Sequence, residues 1–263
     1  MDCLRRGADG FQLKLFALFT MTLDHIHYFI PNMPFLLTLI GRLAAPIFIF
    51  LCAEGFGYTR SRPKYLLRMY LLAVGMRFVS LALCLLLPRP DNVTIMNDIL
   101  ATMFVFCWCV AAVDLLRTGE TKKRWCGALM IAGMLVATGA VIAMFSMVQR
   151  LPLAVIRLVH ALLPTLFSCE GGILWVALGI LFYYTRGSRK GTAAVYVGLL
   201  ALHLLLVPIT AELLLTVAWM AAALVPICLY NGKPGKHRRK WLFYIYYPLH
   251  VYILYIVGLV LAM

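Results

Sequence analysis

The chain has 263 residues, 63% of them hydrophobic, with a mean hydropathy of +0.92 and a formal net charge of +14. A soluble domain of this size is about half apolar, so the composition excludes one, and apolar runs that are continuous, with no alternation, exclude a transmembrane barrel. The 24 Lys and Arg residues sit mostly in short segments between apolar runs, as the positive-inside rule describes, and form no patch suited to nucleic acid.

What remains is an all-α fold: a polytopic transmembrane helical bundle of about nine or ten membrane-embedded helices, N-terminus cytoplasmic, read as one integral-membrane domain over residues 1–263. The first apolar run is about twenty residues long, too long for the core of a signal peptide, and no small-residue cleavage site follows it. It is predicted as an uncleaved span over 11–31, ending at Pro31 and Asn32. The second span covers 35–57. The third covers 64–87 and is closed by Pro88 and Pro90, the fourth 95–116, and the fifth 124–148. The stretch 150–169 holds Arg150, Pro152, Arg157, His160 and Pro164, and suits an interfacial or re-entrant helix better than a crossing. Spans six to nine follow at 171–186, 191–207, 210–230 and 241–262.

Nine crossings put nineteen of the basic residues on one side and only Arg89, Arg150 and Arg157 on the other, with Arg42 and Arg77 inside spans. The eight cysteines lie mostly within apolar runs at spacings that fit no metal site, so they read as small buried residues, and no metal is expected.

Two spans carry groups that lipid penalises. The first holds Lys14, Asp24, His25 and His27, and the second Arg42 and Glu54. A charge at the bilayer centre costs about 2.5–3.5 kcal/mol on insertion scales. His25 lies eleven residues after Lys14, roughly 16 Å further along the helix and about 20° off the same face. Two polar layers follow: Asp24, His25 and Arg42 toward the outside, Lys14 and Glu54 toward the inside. His250 comes to mid-depth in the last span. A histidine there is the natural general base, an adjacent carboxylate can fix its tautomer, and an arginine can hold an anionic or carbonyl group. A proton relay in a transporter would use the same residue types.

The segments LKLFALFTMTLDHI, GRLAAPIFIFLCAEGFGYTRSRPKYLLR, Asn97 and KWLFYIYYPLHVYIL together resemble the TraX family, membrane proteins named for acetylation of conjugative pilin, which is in turn similar to the wider transmembrane acyltransferases. The resemblance implies transfer of an acetyl group from cytoplasmic acyl-CoA to an acceptor on the outer side, in a bacterial cytoplasmic membrane. His25, Asp24 and Arg42 become the catalytic candidates, His25 as general base or as transient acyl carrier, with Asn97, Tyr247 and His250 as further site candidates. Acetyl-CoA, the implied donor, is expected to meet Lys14 and Glu54 and to have its phosphates held by Arg60, Arg62, Lys64, Arg238, Arg239 and Lys240. The acceptor stays open among sugar, wall polymer, lipid headgroup and peptide amine. One departure stands out: where family members tend to carry an acidic Glu-x-Pro-Phe-like stretch, this chain has GMRFVSL with Arg77. A transporter with a polar core and an envelope assembly factor are the alternatives.

Overall fold

The structure, a computed structural model, describes residues 7–96, 98–235 and 240–263, the last run without the side chains of residues 240–242. Every regular element among the described residues is a helix: α1 Gly10–Phe29, α2 Leu36–Gly41, α3 Ala44–Gly57, α4 Arg62–Leu86, α5 Ile99–Leu116, α6 Thr121–Ser146, α7 Leu153–Leu162, α8 Gly172–Tyr184, α9 Arg189–Leu206, α10 Ala211–Ala222, α11 Leu224–Cys228 and α12 Lys240–Ala262. Each predicted span finds its helix. Two are interrupted: the second is α2 and α3, and the eighth is α10 and α11. The first break falls at Arg42 and Leu43, four residues before Pro46, whose missing N–H cannot bond the Arg42 carbonyl.

Seven of these segments are long and apolar enough to cross a membrane. The 20-residue α1, with Lys14 and Asp24 inside it, and the 13-residue α8 fall outside that set. At 1.5 Å per residue α7 is about 15 Å long, half a hydrocarbon core, in line with the non-crossing reading of 150–169. Apolar side chains such as Leu129, Val136 and Leu205 stand exposed on α6 and α9, a surface that suits lipid.

The chain divides into two compact units. The first takes residues up to Cys52, then Leu87–Ile95 and Thr185 onward. In it α1 packs on α2 and α12, and α10 packs on α2 and α9. Asp9 caps α1 in a capping box, accepting from the Phe11 and Gln12 amides at 2.9 Å while the Gln12 side chain accepts from the Asp9 amide. The strand-like residues before α1 meet the loop before α12: Gly10 N–H donates to Lys233 O at 2.8 Å and Asn231 N–H to Ala8 O at 3.0 Å. Both therefore lie at the same end of the bundle, as an even number of crossings between them requires.

The second unit takes Ala53–Leu86 and Met96–Tyr184. Here α5 is central, packed by α4, α6 and α8, with α7 against α4 and α6. At one end Asp114, from the end of α5, accepts from Tyr183 and Tyr184 at the end of α8, both at 2.9 Å. At the other end Arg77 of α4 donates to His160 O of α7 and Ser168 O, at 2.5 and 2.8 Å. α8 can end beside Asp114 only if the stretch 150–169 starts and finishes on one side, which fixes the parity of the crossings.

Candidate functional site

α1 positions His25. Its buried stripe runs Leu13, Ala17, Met21, His25 and Phe29 at four-residue spacing, so the imidazole occupies a place an aliphatic side chain would otherwise fill. The facing helix α12 contributes Tyr247, His250, Val251 and Tyr255. The two imidazoles meet between them. Nδ1 of His25 lies 2.7 Å from Nε2 of His250, the rings are 16° from parallel and their centroids are 4.9 Å apart. Only 3% of His25 and 7% of His250 is exposed.

The surroundings hold both rings in place. His250 Nδ1 donates to the Tyr246 carbonyl at 2.8 Å. The Tyr246 ring lies 15° from parallel to His250 with centroids 5.0 Å apart, and its hydroxyl bonds Thr22 on α1 at 2.9 Å. Tyr247 is buried with its ring 5.9 Å from that of His250. Pro248, inside α12, withholds the N–H that would bond the Tyr244 carbonyl and locally loosens the helix beside this site.

Asp24 turns away from its neighbour. Successive helical side chains point about 100° apart, and this carboxylate faces α2, where Arg42 Nη2 lies 3.6 Å from Oδ1. The pairing of Asp24 with Arg42 is as read from depth, whereas the group that contacts the His25 ring nitrogen is His250. The close approach needs Gly41: a Cβ there would sit 2.2 Å from the Asp24 Cβ. Arg42 itself is loosely held, with 42% of its side chain exposed.

The residues assigned to acetyl-CoA are spread along the chain. In the first unit Lys14 is half-buried, with its ammonium 5.4 Å from the Phe243 ring centroid. In the second, Glu54 is half-buried and Arg60 and Lys64 are exposed. Arg62 is already engaged: it pairs with Asp114 at 2.8 Å, donates to the Tyr183 hydroxyl at 2.6 Å and lies over the Phe56 ring. Asn97, Arg238 and Arg239 lie outside the described residues, and of Lys240 only its place at the start of α12 is described.

Two buried arginines take roles that the sequence does not announce. Arg89, counted as an outer-loop charge, is 5% exposed. It donates to Phe29 O at 2.9 Å and Tyr255 O at 3.3 Å, and holds Asp91 through both carboxylate oxygens, at 3.0 and 2.5 Å. A cation on the last carbonyls of α1 also suits that helix end. Hydrogen bonds from Arg89 pull the Asp91 carboxyl down to about 2. Arg77 is paired with Asp98 and caps the carbonyls already named. Asp98 in turn caps α5, accepting from Ala101 N–H at 3.2 Å. His203 is half-buried near the end of α9.

The family model described as TraX protein matches residues 9–258. The chain is also 25% identical over 262 residues to the probable fimbrial assembly protein FimC, serogroup H1, of Dichelobacter nodosus, covering 94% of each sequence. No solved structure matches.

Proposed function

The chain belongs to the TraX family of multi-pass membrane proteins, and we propose that it is a membrane-embedded acetyltransferase that passes an acetyl group from cytoplasmic acetyl-CoA to an acceptor in the cell envelope. The observation that carries this reading is the buried, hydrogen-bonded contact of His25 with His250. Burying two imidazoles in an apolar bundle is costly unless they are satisfied, and such groups inside a membrane mark sites of function.

The residues suit the chemistry as follows. His25 takes the proton from the acceptor hydroxyl or amine as that atom attacks the thioester carbonyl carbon. The carbon–sulfur bond breaks, and the leaving thiolate of CoA takes the proton back. Arg42, half-exposed beside Asp24, supplies cationic donors for the oxyanion that forms on the thioester oxygen. Of the described cations expected to hold the phosphates, Arg60 and Lys64 are exposed, and we assign that contact to them.

A second reading takes its support from the relative's name: a fimbrial assembly factor without catalysis. The two separate on purified protein in detergent given acetyl-labelled acetyl-CoA together with an envelope extract as the source of acceptor. On the acetyltransferase reading the wild type is stabilised by RT ln(1 + [L]/Kd) and releases CoA, while His25→Ala is folded and silent in turnover. Full turnover by His25→Ala, or no thermal shift and no release in either protein, overturns it.

A further inference from the structure

Resting on that reading of His25, we propose that His250 is the positioning residue of the site: it holds the proton of His25 on Nδ1 and thereby fixes Nε2 as the nitrogen that takes the acceptor's proton. The argument runs through hydrogen-bond directions. A carbonyl oxygen only accepts, so the 2.8 Å bond between His250 and Tyr246 O makes Nδ1 of His250 the N–H. Burying an imidazolium away from water is costly, so the resting pair is neutral and each ring has one N–H. Nε2 of His250 then carries its lone pair and accepts. The 2.7 Å bond to it must come from Nδ1–H of His25, which leaves the lone pair of His25 on Nε2.

The same logic runs outward on the other side of the pair. The Thr22 hydroxyl donates to Leu18 O at 2.8 Å, so the Tyr246 hydroxyl is the donor in its 2.9 Å bond to Thr22. Tyr246 is thereby tied to α1 through its hydroxyl while its carbonyl anchors His250. The Tyr246 ring at 15° and the His25 ring at 16° are both near parallel to the His250 ring. His250 thus does with a neutral imidazole what an orienting carboxylate does elsewhere. When Nε2 of His25 takes the acceptor's proton, Nδ1–H stays on His250, and the proton then leaves from Nε2 to the CoA thiolate.

The test reads the tautomer directly. Histidine ring nitrogens are labelled with nitrogen-15 in the full-length protein in detergent, without substrate, and resonances are assigned with His25→Gln and His250→Gln. Both rings are expected with Nδ1 protonated and Nε2 bare. In turnover, His250→Leu should lower kcat on the order of 10²-fold with KM for acetyl-CoA within about twofold, and His250→Gln, whose side-chain oxygen accepts the same bond, should recover part of the loss. A proton on Nε2 of His25 in the wild type, or an unchanged kcat in His250→Leu, overturns the proposal. The expected tautomers in a protein without turnover would keep the assignment of Nδ1–H and reject acetyl transfer, so the two failures are told apart.

Discussion

Each unit of this bundle buries a polar cluster within its helices, one around Arg77 and one around His25, and the two are built differently. In the second unit Arg77 is engaged through all three nitrogens: Asp98 takes Nε, and the His160 and Ser168 carbonyls each take one of the terminal nitrogens. Asp98 also caps α5, and its own amide donates to Glu170 at 2.7 Å. Such a cluster spends every guanidinium nitrogen on partners within the protein, and its effect is to join α4, α5 and the segment around α7. In the first unit the histidines contact each other through their ring nitrogens, and Arg42 reaches Asp24 only at 3.6 Å with much of its side chain exposed. On the proposed function the difference sorts the buried polar groups: many-partnered engagement goes with architecture, and the histidine pair goes with chemistry.

The comparison breaks most readily at its two centres. Losing His25 should remove transfer and leave thermal stability within a few degrees. Losing Arg77 should do the reverse. Arg77→Met strands Asp98 and should cost about 3–5 kcal/mol of stability, the usual penalty for orphaning a buried charge, with the rate per folded molecule unchanged. Adding Asp98→Ser, which removes the stranded charge and keeps a capping hydroxyl, should recover most of the loss. Denaturation in detergent micelles with turnover normalised to folded protein checks both. A rate that falls with Arg77 while stability holds would move that cluster to the functional side.

Gly41 sharpens the contrast at the next level. A Cβ there meets Asp24 Cβ at 2.2 Å and Cα at 3.0 Å, atoms that cannot swing aside. Gly41→Ala must part α1 from α2, and overpacking of this kind costs about 1–3 kcal/mol. It should also pull Arg42 from Asp24 and slow transfer. Gly75 on α4 is the control: nothing lies within 4 Å of a Cβ built there, so Gly75→Ala should be neutral or raise the melting temperature slightly through helix propensity. Equal effects at the two glycines would refute the close approach.

These sites were legible in the sequence to different depths. Apolar run length located the helices: each of the nine expected spans meets one, and seven segments are long and apolar enough to cross a membrane. The polar layer was legible too: His25, Arg42 and His250 each carry a cost that lipid makes visible, and helical rise placed them at similar depth. That Nδ1 of His25 meets His250, 225 residues away, is decided by how α1 rotates against α12, which depth cannot give. The break at Arg42 was readable from Pro46. Arg89 was not, since Pro-Arg-Pro after a span looks like any outer loop. Its burial depends on Gly258, where a Cβ would lie 2.0 Å from Nη1, a contact between segments far apart in sequence.

The smallest expected effect concerns that same arginine and is a matter of pH. Asp91 is exposed, and its carboxyl is pulled from the ordinary value near 4 to about 2, chiefly by the hydrogen bonds that Arg89 donates. A carboxylate whose folded value is lowered contributes stability above its unfolded value and loses it as pH falls through the folded one. The contribution is therefore complete above about pH 5 and disappears between about pH 4 and 2. Asp91→Asn lacks it at every pH. The gap in melting temperature between wild type and Asp91→Asn should accordingly be constant from neutral pH to about 5 and close as the medium approaches pH 2. Because all other titrating groups are common to both proteins, the gap isolates this one contact. A gap that does not change with pH would mean that Arg89 is held by the Phe29 and Tyr255 carbonyls alone, and that Asp91 merely covers it.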